Sequence, residues 1–176
     1  MTTVWLLPIV PLVVGSSSGA VLVPAIQVYS PSYALLTATF SACMLAIGLG
    51  LSLMFFTIYI LRLIVHGYPT GASVLSVFLP LGPSGQAAYS LLRLGSAFSS
   101  LLPLDYGNPG GVLRKPGTGE TVEVMCVFGA VVLWSLASMW LVFAVLALGH
   151  TLRRERIAFR LSFWGTVFPN VGLKLR

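Results

Sequence analysis

The sequence predicts an all-α membrane protein with about four complete transmembrane helices and an incomplete fifth. The 176-residue chain is 57% hydrophobic and only 8% charged, with a mean hydropathy of +0.95, whereas soluble domains carry roughly 25% charged residues. No charged residue occurs from Met1 to Leu61, from Gly67 to Leu92 or from Val124 to Leu152. Because about 20 apolar residues cross a bilayer as a helix, each stretch is long enough for a span.

The positions of the apolar runs set the predicted boundaries. We predict spans at residues 4–28, 34–65, 73–102, 124–150 and 157–175, with a glycine-rich extracellular loop at residues 105–123. The last span is incomplete, because only thirteen uncharged residues, 161–173, lie between its flanking basic residues. The second span contains no proline and is apolar on all sides, which is typical of a helix that faces lipid or other helices.

The first predicted span combines prolines with small residues. It contains Pro8, Pro11 and Pro24, which we expect to kink the helix, and Gly15 and Gly19 in GxxxG spacing, which allow another helix to come close. This mixture is typical of an inner or pore-lining helix. A kinked helix without any functional polar surface is an equally good interpretation.

The third predicted span is interrupted by the sequence LPLGPSGQ at residues 79–86. Non-helical backbone at membrane depth persists only where protein buries it or water lines it, so free N–H groups here are candidates to face an anion. The alternative is a helical hairpin turn near the membrane surface. Arg93 follows within the same apolar run, and it either faces a wet cavity or extends its side chain to the interface. We favour the interface for Arg93.

Basic residues are concentrated beside particular spans rather than on a soluble domain. Arg62 follows the second predicted span and an arginine cluster at residues 153–160 follows the fourth, whereas residues 29–33 are uncharged. The positive-inside rule therefore places the N-terminus and residues 153–160 in the cytoplasm. The net charge of +6 is explained by membrane orientation, and we predict no binding to nucleic acid.

No set of side chains has the pattern of a catalytic or metal site. The four acidic residues lie in predicted loops, and His66 and His150 lack the spacing of metal ligands. Cys43 and Cys126 both fall within predicted spans, where a thiol usually behaves as a small apolar group. We therefore predict no enzyme, no metal site and no cofactor.

Four motifs together resemble a known transporter family. They are WLLPIVP at residues 5–11, LGPSGQ at residues 81–86, LWS at residues 133–135 and FRLSFWGTVFPN at residues 159–170. In this order they are similar to the fifth, seventh, eighth and ninth helices of the tellurite-resistance/C4-dicarboxylate transporter family, which includes the slow-type anion channels. The fungal sulfite-exporter branch of the family is the most similar.

The resemblance implies a larger architecture and a function. Family members have ten helices in five hairpins, with odd-numbered helices around the pore, even-numbered helices outside, and commonly three subunits. The chain would then be a fragment that covers helices five to nine. We expect transport of a small anion, most simply sulfite efflux across the plasma membrane. The alternatives are malate or another C4-dicarboxylate, or a truncated, non-transporting membrane protein that packs on partners through Gly15/Gly19 and Gly48/Gly50.

The resemblance also suggests site residues. The family places a phenylalanine of the ninth helix across the pore as a gate, for which Phe168 is the best match and Phe163 the second. Simple packing is the alternative for both aromatic side chains. The pore-lining candidates from the proline-rich and broken segments are Pro8, Pro11, Gly82, Pro83, Ser84, Gly85 and Gln86. Ser16 and Ser17 are further hydrogen-bond donors for an anion.

Overall fold

The computed structural model describes residues 8–67, 71–104 and 111–154, and these residues form an all-α fold. The elements are α1 (Val10–Gln27), α2 (Pro31–His66), a 3₁₀ helix (Gly71–Phe78), α3 (Leu81–Leu101) and α4 (Thr118–Arg154). The described part of the chain contains no β-strand. The predicted all-α class is thereby confirmed.

Three of the helices, α1, α2 and α4, are long and apolar enough to cross a membrane. With 36 and 37 residues, α2 and α4 are each about 55 Å long, whereas the hydrocarbon core of a bilayer is about 30 Å thick. Their ends therefore extend beyond the core unless the helices tilt strongly. Helix α3 has 21 residues and is long enough, but it is not among the three strongly apolar helices.

The prolines of α1 lie mainly at its beginning, which corrects the predicted kinks. Pro8 precedes the helix and Pro11 occupies its first turn, where the missing N–H group has no intrahelical acceptor in any case. Pro24 alone lies inside the helix, in its last turn. Pro8 and Pro11 therefore start α1 rather than bend it.

Small residues bring α1 and α2 into close contact. A Cβ atom added at Gly15 would lie 2.8 Å from Met44 Cε, and one at Gly19 would overlap the hydroxyl of Ser41. Gly48 of α2 faces α1 in the same way. The close helix approach expected at Gly15 and Gly19 thus occurs within the chain, so these glycines are occupied by α2 and do not form a free docking surface.

Helix α3 lies at the centre of the described chain and packs against α1, α2 and, most extensively, α4. At the contact with α4, a Cβ atom added at Gly95 would lie 2.7 Å from Cys126 Cβ, and one at Gly119 would lie 3.0 Å from the Ser99 carbonyl oxygen. Because the backbones approach this closely, one side of α3 is fixed against α4. The remaining sides of α3 face α1, α2 and the open surface.

The buried apolar side chains form three layers along the bundle. The first lies beside the 3₁₀ helix and surrounds Trp140, the second joins the middle of all four helices, and the third joins the end of α1 to the beginning of α2 and the end of α3. Trp140 is fully buried, and its ring packs on Phe56 and Tyr59 at centroid distances of 5.7 and 5.8 Å. These layers hold α3 at one depth and in one orientation.

The loop before α4 is shorter than we predicted. The prediction placed the loop at residues 105–123, but α4 already begins at Thr118; residues 105–110 lie outside the described residues. The Thr118 hydroxyl donates to the Val112 carbonyl over 2.8 Å, and Gly117 before it has a φ angle of 87°, which favours glycine. Glu120 lies in the first helical turn, where a negative charge is stabilised. Polar residues therefore form the first turns of α4.

Candidate functional site

The backbone break before α3 is narrower than its sequence suggested. The 3₁₀ helix ends at Phe78 and α3 begins at Leu81, so only Leu79 and Pro80 separate them. We predicted the interruption to extend to Gln86. Pro83 is tolerated within the helix because it lies in the first turn, where backbone N–H groups have no intrahelical acceptor. Residues 82–86 are therefore helical.

The start of α3 is enclosed by the rest of the described chain. Gly82, Pro83, Ser84 and Gly85 are all buried, and the Ser84 hydroxyl donates to the Pro80 carbonyl over 2.7 Å. These four predicted pore-lining residues thus lie against neighbouring helices in the described chain. Gln86 is the first of the predicted set along α3 that is partly open.

Gln86 connects α3 to α1 through a polar contact. Its side-chain Nε2 donates to Ser17 Oγ over 2.7 Å, and the Ser17 hydroxyl in turn donates to the Val14 carbonyl over 2.8 Å. One turn further along α3, the Ser90 hydroxyl donates to the Val13 carbonyl over 3.3 Å. The structure therefore brings together Gln86 and Ser17, two of the hydrogen-bonding residues that the sequence indicated.

A second polar contact joins the far ends of α1 and α3. Gln27 Nε2 donates to the Ser100 carbonyl, and the Ser100 hydroxyl donates to Gln27 Oε1, both over 3.2 Å. We call the polar contacts between α1 and α3 the polar seam, which consists of Ser17, Gln27, Gln86, Ser90 and Ser100. Interhelical hydrogen bonds of this kind stabilise membrane helix pairs.

Ser16 adds an unpaired hydroxyl beside this seam. Its side chain is fully buried, and its oxygen has no hydrogen-bond partner among the described residues. A buried hydroxyl without a partner is destabilising by about 1–3 kcal/mol. One more polar group, such as a water molecule, would therefore be favourable at Ser16.

The open face of α3 is mainly polar from Gln86 to Ser100, although Leu91, Leu92 and Phe98 are also partly exposed. Between Leu81 and Leu101, all of which the structure describes, the exposed side chains are those of Arg93, Ser96 and Ser100. Together with the partly exposed Gln86 and Tyr89 they follow a spacing of three and four residues, which places them on one side of a helix. We call this row the polar stripe: Gln86, Tyr89, Arg93, Ser96 and Ser100.

Arg93 is held on the polar stripe by Tyr89. Its Nε donates to the Tyr89 hydroxyl over 3.1 Å, and its guanidinium carbon lies 5.6 Å from the centroid of the tyrosine ring. No carboxylate of the described residues pairs with Arg93. We had not singled out Tyr89, although its position one turn before Arg93 is the spacing at which helical side chains meet.

Pro8 and Pro11 are not part of the polar stripe. Pro8 and Pro11 are exposed at the beginning of α1, and Phe163 and Phe168 lie outside the described residues. A groove between α3 and α4 is apolar and offers little to an anion; it is lined by Ala88, Leu92, Val127, Ala130, Val131 and Trp134. Within the described ranges, no three potential metal ligands come together.

Comparisons with known proteins cover almost all of the sequence. Residues 1–175 match the family described as SLAC1, voltage-dependent anion channel. The chain is 32% identical over 170 residues to "Sulfite efflux pump SSU1" of Trichophyton rubrum and to the protein of that name from Arthroderma benhamiae, covering 96% of the chain and 42% of each relative. It is 31% identical over 173 residues to the Candida albicans protein of the same name, covering 93% of the chain and 34% of that relative.

The chain therefore spans less than half the length of these relatives. No solved structure gives a significant match.

Proposed function

Because the chain belongs to the SLAC1 voltage-dependent anion channel family, we propose that the protein carries a small anion across a membrane, and that sulfite efflux is its role. The observation that supports this most strongly is the polar open face of α3. A membrane helix whose exposed side chains are an arginine and two serines is poorly suited to contact lipid. We infer that the polar stripe faces an aqueous path for the anion.

The chemistry of the stripe suits an anion that must pass without being retained. The Gln86 amide and the Ser96 hydroxyl are neutral hydrogen-bond donors, which lower the cost of removing water from an anion. An inside-negative membrane potential favours the exit of a monovalent anion by about 2.3 kcal/mol per 100 mV. Efflux by this route requires neither a catalytic site nor ATP.

Sulfite is the preferred substrate because the relatives that match almost the whole chain are named sulfite efflux pumps. Transport of malate or another C4-dicarboxylate is the alternative. A non-transporting protein that binds partners through Gly15/Gly19 and Gly48/Gly50 is the other alternative. Gly15, Gly19 and Gly48 already hold α1 and α2 together, whereas Gly50 faces open space, so only Gly50 is left for a partner.

The membrane location and assembly are parts of the same proposal. We propose the plasma membrane, with the N-terminus and residues 153–160 in the cytoplasm, so that α3 runs from the cytoplasmic side to the outer side. The full-length protein would form a homotrimer, as the family resemblance implies. Spans at residues 4–28, 34–65, 73–102, 124–150 and 157–175 remain our proposed topology.

The gate is proposed from the sequence motif. We propose that Phe168, or second to it Phe163, crosses the path and limits flux. Pro8, Pro11 and the start of α3, residues 82–85, would support the path from the cytoplasmic side, and Gln86 would line it.

The experiment that tests this function is a flux assay with the intact gene product in proteoliposomes. We expect sulfite efflux under an inside-negative potential, a severalfold increase with Phe168→Ala, and no change with Phe128→Ala, which alters an exposed aromatic side chain of α4. Competition by malate distinguishes the dicarboxylate alternative. Absence of flux for every anion tested, with correctly folded protein present, would contradict the proposed function.

A further inference from the structure

We propose that Arg93 and Tyr89 form a contact site for a small oxyanion on the polar stripe, and that this site gives the path a preference for oxyanions over spherical halides. The inference rests on the proposed transport function and adds a site that neither the motifs nor the comparisons assign. It follows from the contact of the Arg93 side chain with Tyr89, its remaining hydrogen-bonding capacity and the absence of a described carboxylate beside it.

The contact of Arg93 with Tyr89 argues against simple anchoring at the membrane surface. Arg93 is eight residues from Leu101, the nearer end of α3, and twelve from Leu81. An arginine that reaches for the interface would extend toward Leu101, about 12 Å away along the helix. Instead, the Arg93 Nε donates to the hydroxyl of Tyr89, a residue of the preceding turn of the same helix. The positive charge is therefore held at the depth of the helix interior.

The guanidinium retains donors for a ligand. The bond to Tyr89 uses the N–H of Nε, so both terminal amino groups remain, and they present two parallel N–H bonds in one plane. This arrangement matches two oxygen atoms of an oxyanion, whereas a halide has no second atom to accept the second bond. The Tyr89 hydroxyl accepts the hydrogen bond from Nε, and its own O–H group remains as a further donor.

A bound oxyanion would also supply the negative charge that the described residues do not. An unpaired arginine at membrane depth is costly, and such residues usually face water or pair with an opposite charge. The exposed position of Arg93 allows the anion to arrive and leave. Ser96 continues the stripe toward the end of α3 and provides a weaker donor for the next step.

The test measures selectivity in proteoliposomes that contain the intact gene product, using sulfite and chloride as the two probes. Wild-type protein should prefer sulfite. Arg93→Gln should lower the sulfite-to-chloride flux ratio by about tenfold, which corresponds to the loss of one charge-assisted hydrogen bond. Arg93→Lys keeps the charge but loses the planar pair of donors, so it should lower the ratio by a smaller factor. Tyr89→Phe should also lower it.

Arg114→Gln is the matched control, because it removes one exposed positive charge from the turn before α4 and should leave the ratio unchanged. If Arg93→Gln and Arg93→Lys both retain the wild-type ratio while sulfite flux persists, the oxyanion site is wrong and the transport function stands. A wild-type ratio that shows no preference for sulfite also overturns the site. Loss of all flux in the wild type would instead refute the transport function itself.

Discussion

Helices α2 and α4 differ from α3 in the side chains that they expose. The outward faces of α2 and α4 carry large apolar residues along most of their length, such as Phe40, Met54, Phe128 and Val142, whereas the exposed residues of α3 are Arg93, Ser96 and Ser100. The apolar faces suit contact with lipid. The polar face suits contact with water or with other polar groups, so the two kinds of helix suit different surroundings.

Helix α1 is intermediate and shows how the two kinds of surface are joined. Its side toward α2 packs through Gly15 and Gly19, while its side toward α3 carries the polar seam. Hydrophobic burial gives little preference for one neighbour over another inside a bilayer, so close packing and interhelical hydrogen bonds decide which helices meet. In this chain, small residues join α1 to α2 and polar residues join α1 to α3.

The largest expected effect is the difference in membrane insertion between a charge placed on the apolar face of α4 and a charge placed on the polar face of α3. Val132 of α4 is 53% exposed, and Val132→Lys should disfavour membrane insertion by about 3 kcal/mol, because a lysine would face lipid near the helix centre. Ser96→Lys should be tolerated, because α3 would present the charge to water. For both variants, membrane insertion is measured as the amount of monodisperse protein that detergent extracts. An equal loss for the two variants would refute the distinction between the faces.

A smaller effect is expected from two adjacent residues on opposite sides of α3. Gly95→Ala places a Cβ atom 2.7 Å from Cys126 Cβ and should destabilise the protein by about 1–3 kcal/mol through overpacking. Ser96→Ala, on the open side, should change stability by no more than about 0.5 kcal/mol. Thermal unfolding in detergent measures the stability of both variants.

The same contact provides a rescue experiment. Cys126→Gly removes the opposing Cβ atom, so Gly95→Ala should be much less destabilising in that background. If the two substitutions are additive, the close contact between Gly95 and Cys126 is not the cause of the destabilisation.

The smallest effect concerns the polar seam. Gln86→Leu removes the 2.7 Å hydrogen bond to Ser17 and should destabilise the protein by about 0.6 kcal/mol, the average for interhelical hydrogen bonds in membranes, and by no more than about 1.7 kcal/mol. Ser135→Ala is the control, because that hydroxyl bonds only to the Val131 carbonyl of its own helix. A double-mutant cycle of Gln86→Leu and Ser17→Ala should show coupling, and its absence would mean that the bond between Gln86 and Ser17 contributes no stability.

Much of the architecture could be predicted from the sequence because apolar runs and turn residues are local signals. Long uncharged stretches predicted α2 and α4, and LPLGPSGQ predicted an interruption before α3. The extent of that interruption was wrong, since Pro83 and its neighbouring glycines fit a first helical turn. The polar residues of α4, Thr118 to Glu123, were assigned to a loop because they resemble one in composition, although they form the first turns of the helix.

The candidate functional site was less predictable from the sequence than the helices were, because it depends on which helices pack against each other. Gln86 and Ser17 were both indicated, but their hydrogen bond joins residues far apart in the sequence. Tyr89 was missed because a single tyrosine in an apolar run is usually a packing residue. The phenylalanine gate rests on the sequence motif alone, because Phe163 and Phe168 lie outside the described residues.

The most direct test of the account is whether the polar stripe is wet. In the intact gene product with Cys43 and Cys126 replaced by alanine, Ser96→Cys should react rapidly with a charged, membrane-impermeant thiol reagent, and the reaction should block sulfite flux. Val132→Cys, on the apolar face of α4, should react slowly and leave flux unchanged. If Ser96→Cys reacts no faster than Val132→Cys, α3 does not face an aqueous path and the central claim fails.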